Sequence, residues 1–168
     1  LAISNWTYNE TAQTPTSSTN FGEVVYTYST SETGEYTSEV PTNAGTYYVK
    51  ASVAETTNYK GFEVTKSFVI EKAKVNTPKV DSKDYTGEGI TADIETSDLY
   101  EVVTNNGGTN VGKYEVVLKL TDSSNYKWND SVEETTTLEF EITQATTTIS
   151  NLAISNWTYN ETAQTPTS

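Results

Sequence analysis

The groups in this chain that could do chemistry are almost all carboxylates: 23 Asp and Glu stand against 10 basic residues, every one of them Lys, and His, Cys, Met and Arg are absent. Without imidazole or thiol, the common general-base relays and cysteine nucleophiles have no material to work with. Glu133-Glu134 is the nearest approach to a paired-carboxylate site. Adjacent residues on a strand point to opposite faces, so the pair reads as a solvated acidic surface. No Gly-rich phosphate loop appears. Asp122-Ser123-Ser124-Asn125 and Asn129-Asp130 offer loop oxygens of the kind calcium takes, but they lack the dense acidic spacing of a dedicated site. The expectation is no enzyme, no metal and no cofactor.

Aromatic residues are the other candidates: 12 Tyr, 4 Phe and 3 Trp. An exposed row of rings could stack on sugars, and Trp128 and Tyr48 are the candidate surface contacts. Trp128 earns that place because Gly61 stands at its counterpart within the chain, so a ring there is optional to the fold. Trp6 falls where a first strand should bury a large residue and is expected in a core or at a domain junction. The Asn-x-Ser/Thr triplets at Asn5, Asn9 and Asn129 are read as products of Asn and Thr richness. No Lys falls on a core position from which a strand-to-strand crosslink could form.

The net charge is −13, which disfavours nucleic acid and anionic membrane as partners. No stretch is apolar for long enough to span a bilayer, and no signal peptide is evident, as expected of a piece from inside an array. A chain without sulfur also suits an exposed, oxygenated location.

These sparse chemical groups sit in a repetitive scaffold. Leu1–Ser17 returns without a change as Leu152–Ser168, a period of 151 residues. Such a recurrence points to an array of modules. A fainter echo lies inside the period. Thr42–Lys60 aligns without a gap to Thr109–Lys127, 67 residues on, with 8 of 19 positions identical. Trp6-Thr7-Tyr8-Asn9 answers to Lys83-Asp84-Tyr85-Thr86, and Phe68-Val69-Ile70 to Phe140-Glu141-Ile142. The chain therefore divides into a first domain at 1–73, a second at 74–146, and a linker with the first strand of another unit at 147–168.

Each half predicts antiparallel strands. Tyr47, Val49, Ala51 and Val53 alternate with polar neighbours, as do Tyr114, Val116, Leu118 and Leu120. Val64, Phe68 and Ile70 share a parity, and so do Leu138, Phe140 and Ile142. The predicted cores contain Tyr47, Val49, Phe68 and Ile70 in one half and Tyr114, Val116, Phe140 and Ile142 in the other. Turn chemistry at Pro41–Gly45, Tyr85–Gly89 and Asn106-Gly107-Gly108 separates the runs. No capped 3.6-residue period predicts a helix. The fold class expected is all-β: two small immunoglobulin-like β-sandwich domains in tandem, with six or seven strands each. Lys72–Pro78 and Gln144–Ile149 lack Gly, and such β-branched, Pro-containing connections are stiff, so the domains should lie end to end.

Tyr85-Thr86-Gly87, Pro41 to Tyr47 (Pro-x-x-Ala-Gly-Thr-Tyr), the Asn58-Tyr59 pair and Phe68 to Ala73 (Phe-x-Ile-x-Lys-Ala) together resemble the MBG family. These are bacterial immunoglobulin-like modules strung in tandem in large surface and adhesin-like proteins. The resemblance covers both halves, with departures at Tyr8-Asn9-Glu10, where glycine is usual, and at Gly108–Val111, which lacks proline. It implies a non-enzymatic part of an extracellular protein, secreted or at a bacterial cell surface. The expected function is a stalk, spacer or filament segment whose partners are neighbouring identical units or chains. A glycan- or mucin-binding module working by avidity is the alternative. In the repeated segment, Ala153, Ile154, Trp157 and Tyr159 are the candidate inter-unit strand, expected to superpose on the first copy with strand structure over 153–158.

Overall fold

A computed structural model describes residues 1–167, so the expectation at Ser168 lies outside the described residues. Among those residues the regular structure is all strand, with no helix. Runs rich in Thr, Tyr and Val with polar–apolar alternation fit a pleated, half-buried surface.

In the N-terminal half, β1 (Trp6–Thr7), β2 (Val25–Ser29), β3 (Gly45–Val53) and β4 (Phe62–Glu71) form one sheet in the order β1-β4-β3-β2. Strand β3 is antiparallel to both neighbours, with Val49 opposite Tyr28 and Tyr47 opposite Phe68. Strand β1 runs parallel to β4, Trp6 beside Ile70. The core is Tyr28, Val49, Phe68 and Ile70, covered by Leu1, Ile3, Trp6, Tyr8 and Val40. Trp6 stacks on Phe68 with centroids 5.4 Å apart. Its indole Nε1 is buried with no hydrogen-bond partner, a cost of about 1–3 kcal/mol that the stacked core must offset.

The C-terminal half contains β5 (Ala73–Val75), β6 (Lys83–Asp84), β7 (Tyr100–Asn105), β8 (Gly112–Leu120), β9 (Tyr126–Trp128) and β10 (Thr135–Thr143). One sheet has the order β6-β10-β8-β7, and β5 with β9 makes a second. Val75 and Trp128 from the small sheet share a core with Val116, Leu118, Leu120, Phe140 and Ile142 from the large one. That is a sandwich-like arrangement. Lys83 lies parallel to Ile142 as Trp6 lies to Ile70, so residues aligned by sequence hold the same place in the two sheets.

The predicted cores are buried at Val49, Phe68, Ile70, Val116, Phe140 and Ile142. Tyr47 and Tyr114 are half-buried instead. Each hydroxyl donates to a carbonyl four residues back, Asn43 O at 3.1 Å and Asn110 O at 2.7 Å, which keeps the ring edge at the surface. Val64 departs further and is 40% exposed, because nothing covers that end of β4. The N-terminal half also has four strands where six or seven were expected. Residues 8–24 and 30–44 run mainly as exposed irregular chain, touching the core at Tyr8 and Val40, with isolated pairings such as Ala2 with Thr16 and Tyr28 with Thr37.

Candidate functional site

Where the two halves meet, a loop between β8 and β9 carries the most concentrated polar network in the molecule. It begins at Asp122, whose Oδ1 accepts from the amides of Ser124 (3.0 Å) and Asn125 (3.2 Å). Its Oδ2 accepts from Asn125 Nδ2 at 2.8 Å. The hydrogen bond from the Asn125 side chain, and then those from the loop amides, hold the Asp122 carboxyl below its ordinary value.

So ordered, Asn125 is 93% removed from solvent at 7% exposure and reaches into the other half. Its Oδ1 accepts from the Ala44 amide at 2.8 Å, and its Nδ2 donates to Asn43 Oδ1 at 3.2 Å. Its own carbonyl accepts from the Ala73 amide at 2.9 Å. Lys72 Nζ donates to Ser123 O at 2.6 Å. Tyr8 packs edge-on against Tyr126, centroids 5.4 Å apart, and burial there raises its phenol, with Glu10, Tyr126 and Asp122 adding to the rise. The β5–β9 pairing, Ala73 with Tyr126 through Val75 with Trp128, then continues the connecting segment into the C-terminal core. The arrangement holds two β-sheets together. Both Asp122 oxygens are occupied by the loop's own donors, and no metal-holding cluster of His, Cys, Asp and Glu occurs among the described residues.

The expected surface role of Trp128 is corrected: its side chain is fully buried, packs against Tyr100 at 5.7 Å, and donates from Nε1 to Glu134 O at 3.1 Å. Gly61 at the aligned place made the ring look dispensable, yet the C-terminal half builds its second layer around it. Tyr48 lies on the central strand β3, half-buried between Ser29 and Ser67.

The repeated segment gives a natural comparison within one chain. In the first copy the amides and carbonyls of Ala2 and Thr16 bond reciprocally (2.7 and 2.8 Å), and in the second Ala153 and Thr167 do the same (2.9 and 3.0 Å). Thr11 N donates to Asn9 Oδ1 at 3.1 Å, as Thr162 N does to Asn160 Oδ1 at 3.1 Å. Glu10 and Glu161 both take positive φ, 64° and 61°. The strand is different. Trp6 and Thr7 pair with β4, whereas Trp157 and Thr158 form no strand, correcting the expectation over 153–158. Ala153 makes only its bridge to Thr167. Ile154, Trp157 and Tyr159 are exposed because no sheet lies beside them. The loop is locally encoded; the strand needs a neighbour.

No protein-family model matches the chain, and no curated protein matches it.

Proposed function

We propose that this chain is a structural repeat of a long bacterial extracellular protein, a stalk, spacer or filament segment built from two immunoglobulin-like sandwich domains, 1–73 and 74–146, set end to end. The observation that carries the reading is the polarity of the junction. The N-terminal half uses the turn entering β3, at Asn43-Ala44, and the C-terminal half uses the loop leaving β8, at Asp122–Asn125. Because β3 and β8 correspond, with Gly45 opposite Ile70 as Gly112 is opposite Ile142, opposite ends of equivalent domains meet. A contact of that kind is heterologous and can be repeated without closing on itself. The MBG-like motifs and the 151-residue recurrence support the same reading, as does a surface rich in carboxylates for a protein displayed at high density.

A glycan-binding module is the second reading, and it keeps one specific observation. Phe21 and Tyr59 stack in the open, centroids 4.0 Å apart at 6°. Trp128, its leading residue, is no longer available to it. The structural reading predicts an elongated particle in small-angle scattering, with a length of about 70–80 Å for two domains whose strands rise ~3.3 Å per residue. A compact particle with the sheets side by side would overturn it.

A further inference from the structure

The residues that build the junction have counterparts elsewhere in the chain that lie open to solvent. The 67-residue offset carries Asn125, Tyr126 and Trp128 onto Asn58, Tyr59 and Gly61, and Ala44 onto Val111; Tyr8 answers to Tyr85. At the junction Tyr8, Ala44 and Tyr126 are at least half-buried, while Tyr59, Tyr85 and Val111 are 46%, 41% and 50% exposed.

Beside Tyr59 the N-terminal half has a cavity of about 290 Å³, lined among others by Leu1, Ala51, Val53, Phe62 and Val64. Ala51 and Val53 stand where the C-terminal half has Leu118 and Leu120, and Gly61 stands where it has Trp128. The cavity is thus the N-terminal equivalent of the space that Trp128 and Val75 fill. Val75 has no counterpart in residues 1–72: it lies eight residues before Lys83, and eight before the equivalent Trp6 falls ahead of Leu1. Eight residues before Trp157, the second copy of Trp6, is Ile149, which is 81% exposed.

We infer that, where one unit follows another, Thr147-Thr148-Ile149 of the preceding unit pairs in parallel with Tyr59-Lys60-Gly61 and places Ile149 in this cavity. This rests on the array reading above and names its interface. The pairing copies Ala73-Lys74-Val75 against Tyr126-Lys127-Trp128. Leu1 already lines the cavity, and the position three residues ahead of it can reach no more than about 11 Å away. Exposed Phe62 and Val64, at 69% and 40%, together with stacked Phe21 and Tyr59, form the apolar patch the segment would cover. By the same copying, Asn58 of one unit meets the Asn110-Val111 turn of the unit before it.

The test adds Gln-Ala-Thr-Thr-Thr-Ile-Ser-Asn, the sequence of Gln144–Asn151, ahead of Leu1 in the full chain and follows amide hydrogen exchange. The amides of 59–62 should slow by about tenfold or more, and an Asp in place of the added Ile should return them to the rate of the unextended chain. Unchanged exchange in β8 and β10 reports that both proteins are folded. No slowing, or slowing that survives the Asp, would overturn the inference. An elongated particle with unslowed amides would leave the structural reading standing and remove only this docking; a compact particle would remove the structural reading itself.

Discussion

The two halves bury the same Val–Phe–Ile set, Val49, Phe68 and Ile70 in one and Val116, Phe140 and Ile142 in the other, on sheets of matching order. They part company at the far end of that set. The C-terminal half closes its core with Trp128 and Val75 on a second small sheet, and Val75 arrives on the connection from the preceding half. The N-terminal half has Gly61, a cavity and exposed Val64 at the same end. The C-terminal half is thus closed by a segment that precedes it, Ala73–Val75, while the corresponding end of the N-terminal half holds a cavity. Ala51 stands where the C-terminal half has Leu118, so less side chain projects into that end.

The largest effect that can sharpen this contrast comes from Phe140→Ala, which should destabilise the C-terminal half by about 3–5 kcal/mol. Phe68→Ala removes the equivalent ring from a core built on one sheet and covered by half-buried aromatics, Trp6 and Tyr47. It should cost less, nearer ~3 kcal/mol, because surroundings that can relax recover part of the loss. Urea unfolding followed by probes in each half separates the two, and a larger loss at Phe68 would break the comparison.

Next in size is Asn125→Ala. It removes a buried side chain with partners in both halves, so the Ala44 amide is left without its acceptor. A cost of about 1–3 kcal/mol is expected, together with loss of concerted unfolding of the two halves. If both still unfold in one transition at an unchanged midpoint, the junction is not held by this residue.

A smaller change, of the opposite sign, is expected at the turn where the two halves differ in residue type. Glu10 has φ 64° where the aligned Gly87 has φ 90°. Glu10→Gly should stabilise by about 0.5–1 kcal/mol, as relief of left-handed strain outweighs the extra freedom of glycine in the unfolded chain. A lowered thermal midpoint would show that Glu10 is held by more than the turn.

The smallest effect concerns pH. The Asp122 carboxyl lies below its ordinary value of 3.8, held down chiefly by Asn125. Its stabilising contribution is therefore fully present above that ordinary value and is lost as pH falls below it through the folded value. Against Asp122→Asn, the natural chain should lose extra stability only below about pH 4. An equal slope for both proteins there would remove Asp122 from the account.

Much of this arrangement was legible in the residues. Period-2 alternation identified β3, β8 and β10 and most of their buried faces, because a strand with one wet face must alternate. The offset repeat aligns Trp6 with Lys83, and each lies beside the equivalent isoleucine, Ile70 and Ile142. Trp128 was misread for a physical reason. Its aligned Gly61 suggested a dispensable ring, but burial depends on whether a second layer exists, and the parallel pairing of Ala73–Val75 with Tyr126–Trp128 has no local signal. The Asn125 contact was hidden likewise, since Asp-Ser-Ser-Asn reads as a turn whether or not its last side chain crosses to another sheet. The repeated segment marks the same limit: its Asx loop forms in both copies, but a two-residue strand exists only where β4 lies alongside.

The central claim, that these halves are links in a linear array, is tested most directly by imaging proteins of one, two and four successive 151-residue units. The account predicts that end-to-end length grows by a constant increment of about 70–80 Å per unit, set by two domains of strands rising ~3.3 Å per residue. Length that grows more slowly with each added unit, as in a folded-back or freely jointed chain, would contradict it.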